Sequence, residues 1–290
     1  QRNGSNFNTF NYVSVIAQQI TINGIVALGM TIVIMIGGMD LSVGSLLSLC
    51  GVLAGMMDNA GLPVALTVLL TLALGTALGA LNGLLIVKLH IPDIIVTLAT
   101  MNIFRGVAVM VTRSQWITDF SEGFLRIGAS KGGLFSVPIL LYAAVAVVFA
   151  VCLRWLPFGR LLYAVGGNRE AAGLMGLNVA SVKLRVYAVN GFLLGLAGLL
   201  FASMFGSIQA ATAATSLQFQ TMASALIGGA NIFGGAGSVL GTVFGTILLG
   251  MIKNGLVQIH ASEYWLDFIT GAVILLALFV NLIQLRKKGR

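Results

Sequence analysis

The chain has 290 residues, 58% of them hydrophobic and only 8% charged, against roughly a quarter charged in soluble domains. That composition excludes an ordinary water-soluble domain and describes an all-α polytopic membrane protein. The net charge of +8 sits on residues that flank apolar runs and builds no continuous basic element, so a nucleic-acid partner is excluded as well, and lipid is the surrounding medium.

A membrane-crossing helix needs about 20 predominantly apolar residues. On that rule the spans fall, in chain order, at Val13–Ile36, Leu41–Met57, Pro63–Val87, Ile94–Val111, Pro138–Trp155, Val186–Met204, a broken segment near Leu217–Ile227, Val239–Ile252 and Tyr264–Leu282. These make nine spans in a single transmembrane domain covering 1–290. Lys and Arg in short flanking loops mark the cytoplasmic side. Arg154, Arg160, Arg169, Lys183 and Arg185 cluster between the fifth and sixth spans, and Arg286, Lys287, Lys288 and Arg290 close the sequence. Four spans separate the two clusters, so both lie inside and the C terminus is cytoplasmic. Counting backwards puts Gln1 outside, and the sequence opens without a methionine. A tenth span preceding residue 1 is therefore expected.

Two glycine-rich breaks interrupt the apolar pattern. Ile36-Gly-Gly-Met-Asp-Leu-Ser-Val-Gly-Ser-Leu46 and Ile227-Gly-Gly-Ala-Asn-Ile-Phe-Gly-Gly-Ala-Gly-Ser-Val239 share an Ile-Gly-Gly, a following Asx and a Gly-Ser that opens a helix. They suggest two pseudo-repeat halves, with helix breaks at Gly37, Gly38 and Gly44 in one and at Gly228, Gly229, Gly234 and Gly235 in the other. Irregular backbone at membrane depth is tolerated only where protein buries it or a watery cavity adjoins it. Asp40, an acid within the first break, either accepts hydrogen bonds from Ser42 and Ser45 and caps the next helix or lines a solute route. Asn102, Asn231 and Phe233 complete the candidate translocation pathway. Arg105 either snorkels to the outer interface or holds a neighbouring helix. Glycines at four-residue spacing, Gly51/Gly55, Gly75/Gly79/Gly83, Gly191/Gly195 and Gly241/Gly245, allow close helix approach.

Cys50 and Cys152 lie far apart in apolar runs, which is no disulfide or metal spacing, and His90 and His260 stand beside span ends without a nearby partner. The sequence has no Gly-x4-Gly-Lys-Ser/Thr loop, no chain of intramembrane carboxylates and histidines, and no nucleophile with a convincing base. A self-powered pump, a proton-coupled carrier and a membrane hydrolase lose ground. A transport protein driven by another chain gains it, with a self-contained channel or secondary carrier as the alternative.

The loop over residues 156–185 holds the most informative segment. Asn168 is a plausible N-cap, Glu170 falls in the first turn where the helix dipole favours an acid, Ala171 and Ala172 give a small face, and Gly176 can end the helix. A short helix of this kind suits a groove on a soluble partner. It is a poor interfacial helix, having little apolar bulk and no aromatic anchor.

Here the sequence resembles the permease subunits of ABC importers, whose cytoplasmic loop carries a Glu-Ala-Ala-x3-Gly signature that docks on the ATP-binding subunit. Over nearly the whole chain it is similar to the ribose-type (monosaccharide and autoinducer-2) sugar permeases. The shared blocks are Gly37-Gly-Met-Asp-Leu-Ser-Val-Gly-Ser45, Thr97-Leu to Arg105-Gly106, Phe158-Gly-Arg with Ala164-Val-Gly-Gly-Asn168, Gly176-Leu-Asn-Val179 with Lys183, and Ile227-Gly-Gly with Gly234-Gly-Ala-Gly-Ser-Val-Leu-Gly-Thr242. The resemblance implies about ten spans, two permease subunits, a periplasmic or lipid-anchored binding protein, and ATP with Mg on the partner ATPase. It implies no cofactor and no catalysis in this chain. It assigns the coupling contact to Gly166, Gly167, Asn168, Arg169, Glu170, Ala171, Ala172, Leu174 and Gly176. The family usually carries Ile at Met39, and Gln209–Leu217 departs from the more polar stretch typical of ribose permeases, which leaves the pentose-like cargo open to other small polar solutes.

Overall fold

A computed structural model describes residues 9–129, 135–259, 262 and 264–287. Gln1, Lys288 and Arg290, which enter the topology argument above, and His260, noted beside a span end, lie outside the described residues. Among those described, α1 (Thr9–Met35), α2 (Val43–Asn59), α3 (Val64–Leu89) and α4 (Asp93–Thr112) are followed by the two-residue strand β1 (Trp116–Ile117) and the short α5 (Glu122–Ile127). Then come α6 (Val137–Trp155), α7 (Pro157–Gly167), α8 (Arg169–Leu174) and α9 (Val179–Phe205). The strand β2 (Ile208–Gln209), α10 (Leu217–Ile227), α11 (Val239–Gln258) and α12 (Tyr264–Lys287) complete the order.

Each expected span coincides with one of these helices. Five of them, α3, α4, α6, α9 and α11, are long and apolar enough to cross a membrane, and Ile20–Met35, Val43–Asn59 and Tyr264–Ala277 are shorter apolar helices. The chain is a multi-pass membrane protein. Its core is α9, 61% buried along its most apolar stretch against 17% for α6. Beside it stands α1, continuously buried from Gly24 to Ile36.

Glycine sets the core spacing. A Cβ on Gly191 of α9 would strike the Gly75 carbonyl and lie 2.7 Å from Gly79 Cα, and one on Gly51 of α2 would lie 2.7 Å from the Gly198 carbonyl oxygen. The glycine rows of α3 and α9 thus pack against each other. Lipid gives helices no hydrophobic reason to associate, so close van der Waals contact between small residues supplies one.

Three expectations change. The fold is not wholly helical: β1 and β2 pair antiparallel, Trp116 with Gln209 and Ile117 with Ile208, too short a ladder to leave a period-two pattern. Pro157 and Gly159 do more than end α6, because Pro157 opens the separate helix α7, where its missing N–H costs nothing. Helix α9 begins at Val179 rather than Val186, so Lys183 and Arg185 stand on its first turns and the segment 156–185 is largely helical.

Candidate functional site

At the end of the bundle where α1 and α3 finish and α4 and α9 start, α8 lies across the surface. Asn168 caps it, its Oδ1 accepting from the Ala171 N–H at 3.0 Å, and Gly176 leaves it at φ +80°, a conformation that favours glycine. Ala172 is buried, whereas Leu174 is 90% and Met175 72% exposed. Glu170 is exposed too. A bare apolar pair beside an acid is what remains uncovered.

Arg169 turns the other way. Its Nη2 donates to the carbonyls of Ile36 at 2.8 Å and Gly37 at 2.9 Å, in the turn that follows α1, where no further helical N–H reaches back to bond them. Gly37 leaves α1 at φ +67°, and Gly229, Gly234 and Gly235 also have positive φ. The two breaks meet: the Gly235 N–H donates to the Met35 carbonyl at 2.8 Å. A Cβ on Gly166, near the end of α7, would fall on that same carbonyl and 2.6 Å from the Gly235 nitrogen. Gly167 adjoins Gly235. The end of α1, the end of α7 and the α10–α11 break therefore touch backbone to backbone.

Gly38 sits where a Cβ would crowd Asp93 Oδ2 at 2.7 Å. Gly228 ends α10 with helical φ, pressed against Gly241. Gly44 is no break: it lies in the first turn of α2, and its missing Cβ makes room for the Ala214 carbonyl.

A cavity of about 810 Å³ opens beside this junction, with Gly37, Met39, Asp93, Arg169, Lys183 and Phe233 in its wall. Lys183 Nζ pairs with Asp93 Oδ1 at 2.9 Å, both side chains only 12% exposed. The Tyr187 hydroxyl is 3.0 Å from Asp93 Oδ2 and 3.2 Å from the Met39 carbonyl. This cluster ties the starts of α4 and α9 to the first break. Sequence reasoning missed Asp93 and Tyr187. The available signal was an acid directly after Pro92 at a span start, matched by Lys183 at another.

Asp40 is almost fully buried. Its Oδ1 accepts from the Ser42 N–H at 2.9 Å and the Ser42 hydroxyl at 2.6 Å, and its Oδ2 accepts from Asn190 Nδ2 at 2.8 Å. Asn82 Nδ2 donates in turn to Ser42 Oγ at 2.9 Å. The carboxylate thus joins the first break to α3 and α9 and lies apart from the cavity wall. Ser42 occupies the N-cap position of α2 without a side-chain capping bond, and Ser45 is buried within the helix.

The remaining candidates disperse. Asn102 is exposed on α4 and bonds back to the Leu98 carbonyl at 3.0 Å. Asn231 folds its own break, its Oδ1 accepting from the Phe233 N–H at 3.0 Å. Phe233 reaches the cavity with Gly37 and Arg169. Arg105 holds a neighbouring segment, its Nη1 donating to the carbonyls of Ala210 at 2.5 Å and Ala213 at 2.8 Å.

Comparison with known proteins places these features. The family model described as "Branched-chain amino acid transport system / permease component" matches residues 12–278. The ribose import permease protein of Haemophilus influenzae is 37% identical over 92% of this chain and 83% of its own length. That of Bacillus subtilis is 38% identical over 94% and 84%. The autoinducer 2 import system permease protein of Photorhabdus laumondii is 35% identical over 89% and 77%. No solved structure matches. The motif blocks that suggested a permease are thus part of a likeness running through the whole bundle, and the chain belongs to this family of transport-system permease components, as a relative of the ribose-type sugar permeases.

Proposed function

We propose that this chain is the membrane-spanning subunit of an ATP-driven bacterial importer that moves a pentose-like sugar or similar small polar solute handed over by a binding protein. It crosses the inner membrane nine times over the residues described, with its C terminus in the cytoplasm and a second identical copy beside it. It performs no bond chemistry. ATP and Mg belong to the partner ATPase, which supplies the energy of the cycle.

The observation that carries this reading is the hydrogen bonding of Arg169 to Ile36 and Gly37. It connects α8, whose Leu174 and Met175 are open to a partner, directly to the break of the most buried helices. Closure of the ATP-binding subunits pushes on α8. Arg169 and the Gly166 contact pass that displacement to α1 and to the α10–α11 break, and access to the bundle alternates. The cargo class is supported by relatives that import ribose and autoinducer 2.

The variants Glu170→Arg and Gly176→Trp test the contact. Both are expected to reach the membrane in normal amounts, to lose association with the ATPase and to lose uptake. Uptake and association at wild-type level in both would remove the coupling role from α8.

A further inference from the structure

Two charges lie outside everything described so far, Lys253 of α11 and Asp267 of α12. Both are exposed on the surface of the chain, and among the described residues neither forms an ion pair. Lys253 stands fourteen residues beyond Val239, about 21 Å along α11 from the break that meets α8. It therefore belongs to the opposite half of the bundle. Lys253 lies in the last two turns of α11 and Asp267 in the first turn of α12, at the depth where charged groups reach water or a protein neighbour instead of lipid tails.

They open into a cavity of about 260 Å³, and Thr215, Ser216, Gln220 and Ser262 complete its polar wall. A narrower continuation shares Gln220 and Lys253 and reaches Asn23 and Thr270 between α1 and α12. Asn23 Nδ2 donates to Gln220 Oε1 at 3.3 Å, so amide groups carry the polar lining inward from the charged mouth. The rest of that continuation is apolar, with Ile20, Leu249 and Leu266.

We infer that this is a receiving pocket for a small neutral polyhydroxylated solute, entered from the face opposite α8; the inference rests on the importer reading above. One ammonium, one carboxylate, an amide and three hydroxyls give donors and acceptors without net charge. Such a wall gains nothing from an ion but can satisfy hydroxyls, which both donate and accept. The volume lies just below the usual range of roughly 300–1,000 Å³ for small-molecule pockets, which suits a single sugar ring and not two. Leu256, Val257 and Leu266 complete the wall with apolar surface, against which the carbon face of a sugar ring can lie.

The test uses the complete complex, with its ATPase and binding protein, in proteoliposomes at matched membrane abundance. Lys253→Met and Asp267→Asn each keep side-chain length while removing a charged hydrogen-bond partner. Each is expected to lower ribose or galactose uptake about tenfold at subsaturating sugar, with ATPase activity within about twofold of wild type. A separate variant, Lys253→Cys, is expected to react with a membrane-impermeant maleimide from the outer face and to be slowed by the sugar. Wild-type uptake in both charge variants, or labelling of the cysteine that is absent or indifferent to sugar, overturns the pocket and leaves the importer standing. Failure of the wild-type complex to move any monosaccharide overturns both.

Discussion

Replacing Arg169 with alanine removes the side-chain hydrogen bonds that tie α8 to the first break. The two bonds run from one guanidinium nitrogen to the carbonyls of Ile36 and Gly37 at 2.8 and 2.9 Å. A hydrogen bond to a charged group contributes roughly 1.5–3 kcal/mol when well buried. Here the Arg169 side chain is exposed and only the Ile36 bond is partly buried, so solvent screening reduces the sum to about 1–2 kcal/mol. That corresponds to roughly a 5- to 30-fold weaker preference for the linked arrangement.

The assay is solute moved per ATP hydrolysed in proteoliposomes that hold the full complex. Arg169→Ala leaves the exposed Leu174 and Met175 in place, so ATPase association and hydrolysis should persist while transport per ATP falls about 5- to 30-fold. Arg169→Lys, a point charge without the planar fork, should fall between the two. An unchanged ratio in Arg169→Ala would refute the claim that this side chain carries the motion.

Gly191→Val sets side-chain atoms against the Gly75 carbonyl and Gly79 Cα; it should destabilise the detergent-solubilised protein by about 3 kcal/mol or more, read as a fall in unfolding temperature. Gly106→Ala, where a Cβ would meet nothing within 4 Å, should change it by no more than about 0.5 kcal/mol in the same measurement. Asp40→Leu strands the Ser42 N–H and the Asn190 amide and should cost about 2–5 kcal/mol, seen as loss of folded protein from membranes. Asp40→Asn should be tolerated, because turning the Asn190 amide brings its unpartnered Oδ1 to face the new side-chain amide.

The helices were legible because lipid imposes one rule, an uninterrupted apolar run, on every span. Their ends were less so: the turns from Val179 to Arg185 carry Lys183 and Arg185, which read as loop although they continue α9 into the interface. The form of α8 was legible too, because Asn168 and Gly176 are local signals whose geometry depends on neighbours within four residues. The direction of Arg169 was not. Its partners are carbonyls more than 130 residues away, and backbone oxygens leave no trace in the side-chain sequence. The same limit hid Asp93 and Tyr187, whose importance lies in meeting Met39 and Lys183 across the bundle. Gly44 failed in the opposite sense: as the glycine of the Gly-Ser pair it was counted with the breaks, while here it admits the Ala214 carbonyl against a regular helix.

These contacts sort the residues around the first break into two groups. On one side, Met35, Gly166 and Gly235 meet with no side chain between them, and Arg169 adds Ile36 and Gly37 to the same group. A displacement of α8 cannot be absorbed by rotamer changes where only backbone touches backbone, so the ends of α1, α7 and the α10–α11 break move as one piece. On the other side, Asp40 and Ser42 are held by Asn190 of α9 and Asn82 of α3, two helices locked together by their glycine rows. Between Gly37 and Asp40 run only Gly38 and Met39, and against them stand Asp93, Lys183 and Tyr187. Gly38 has no side chain to block rotation, and the Tyr187 hydroxyl can give its one proton to Asp93 or to the Met39 carbonyl. On the proposed coupling, the hinge falls on this short stretch, with glycine supplying its freedom and the Asp93 cluster limiting how far it turns.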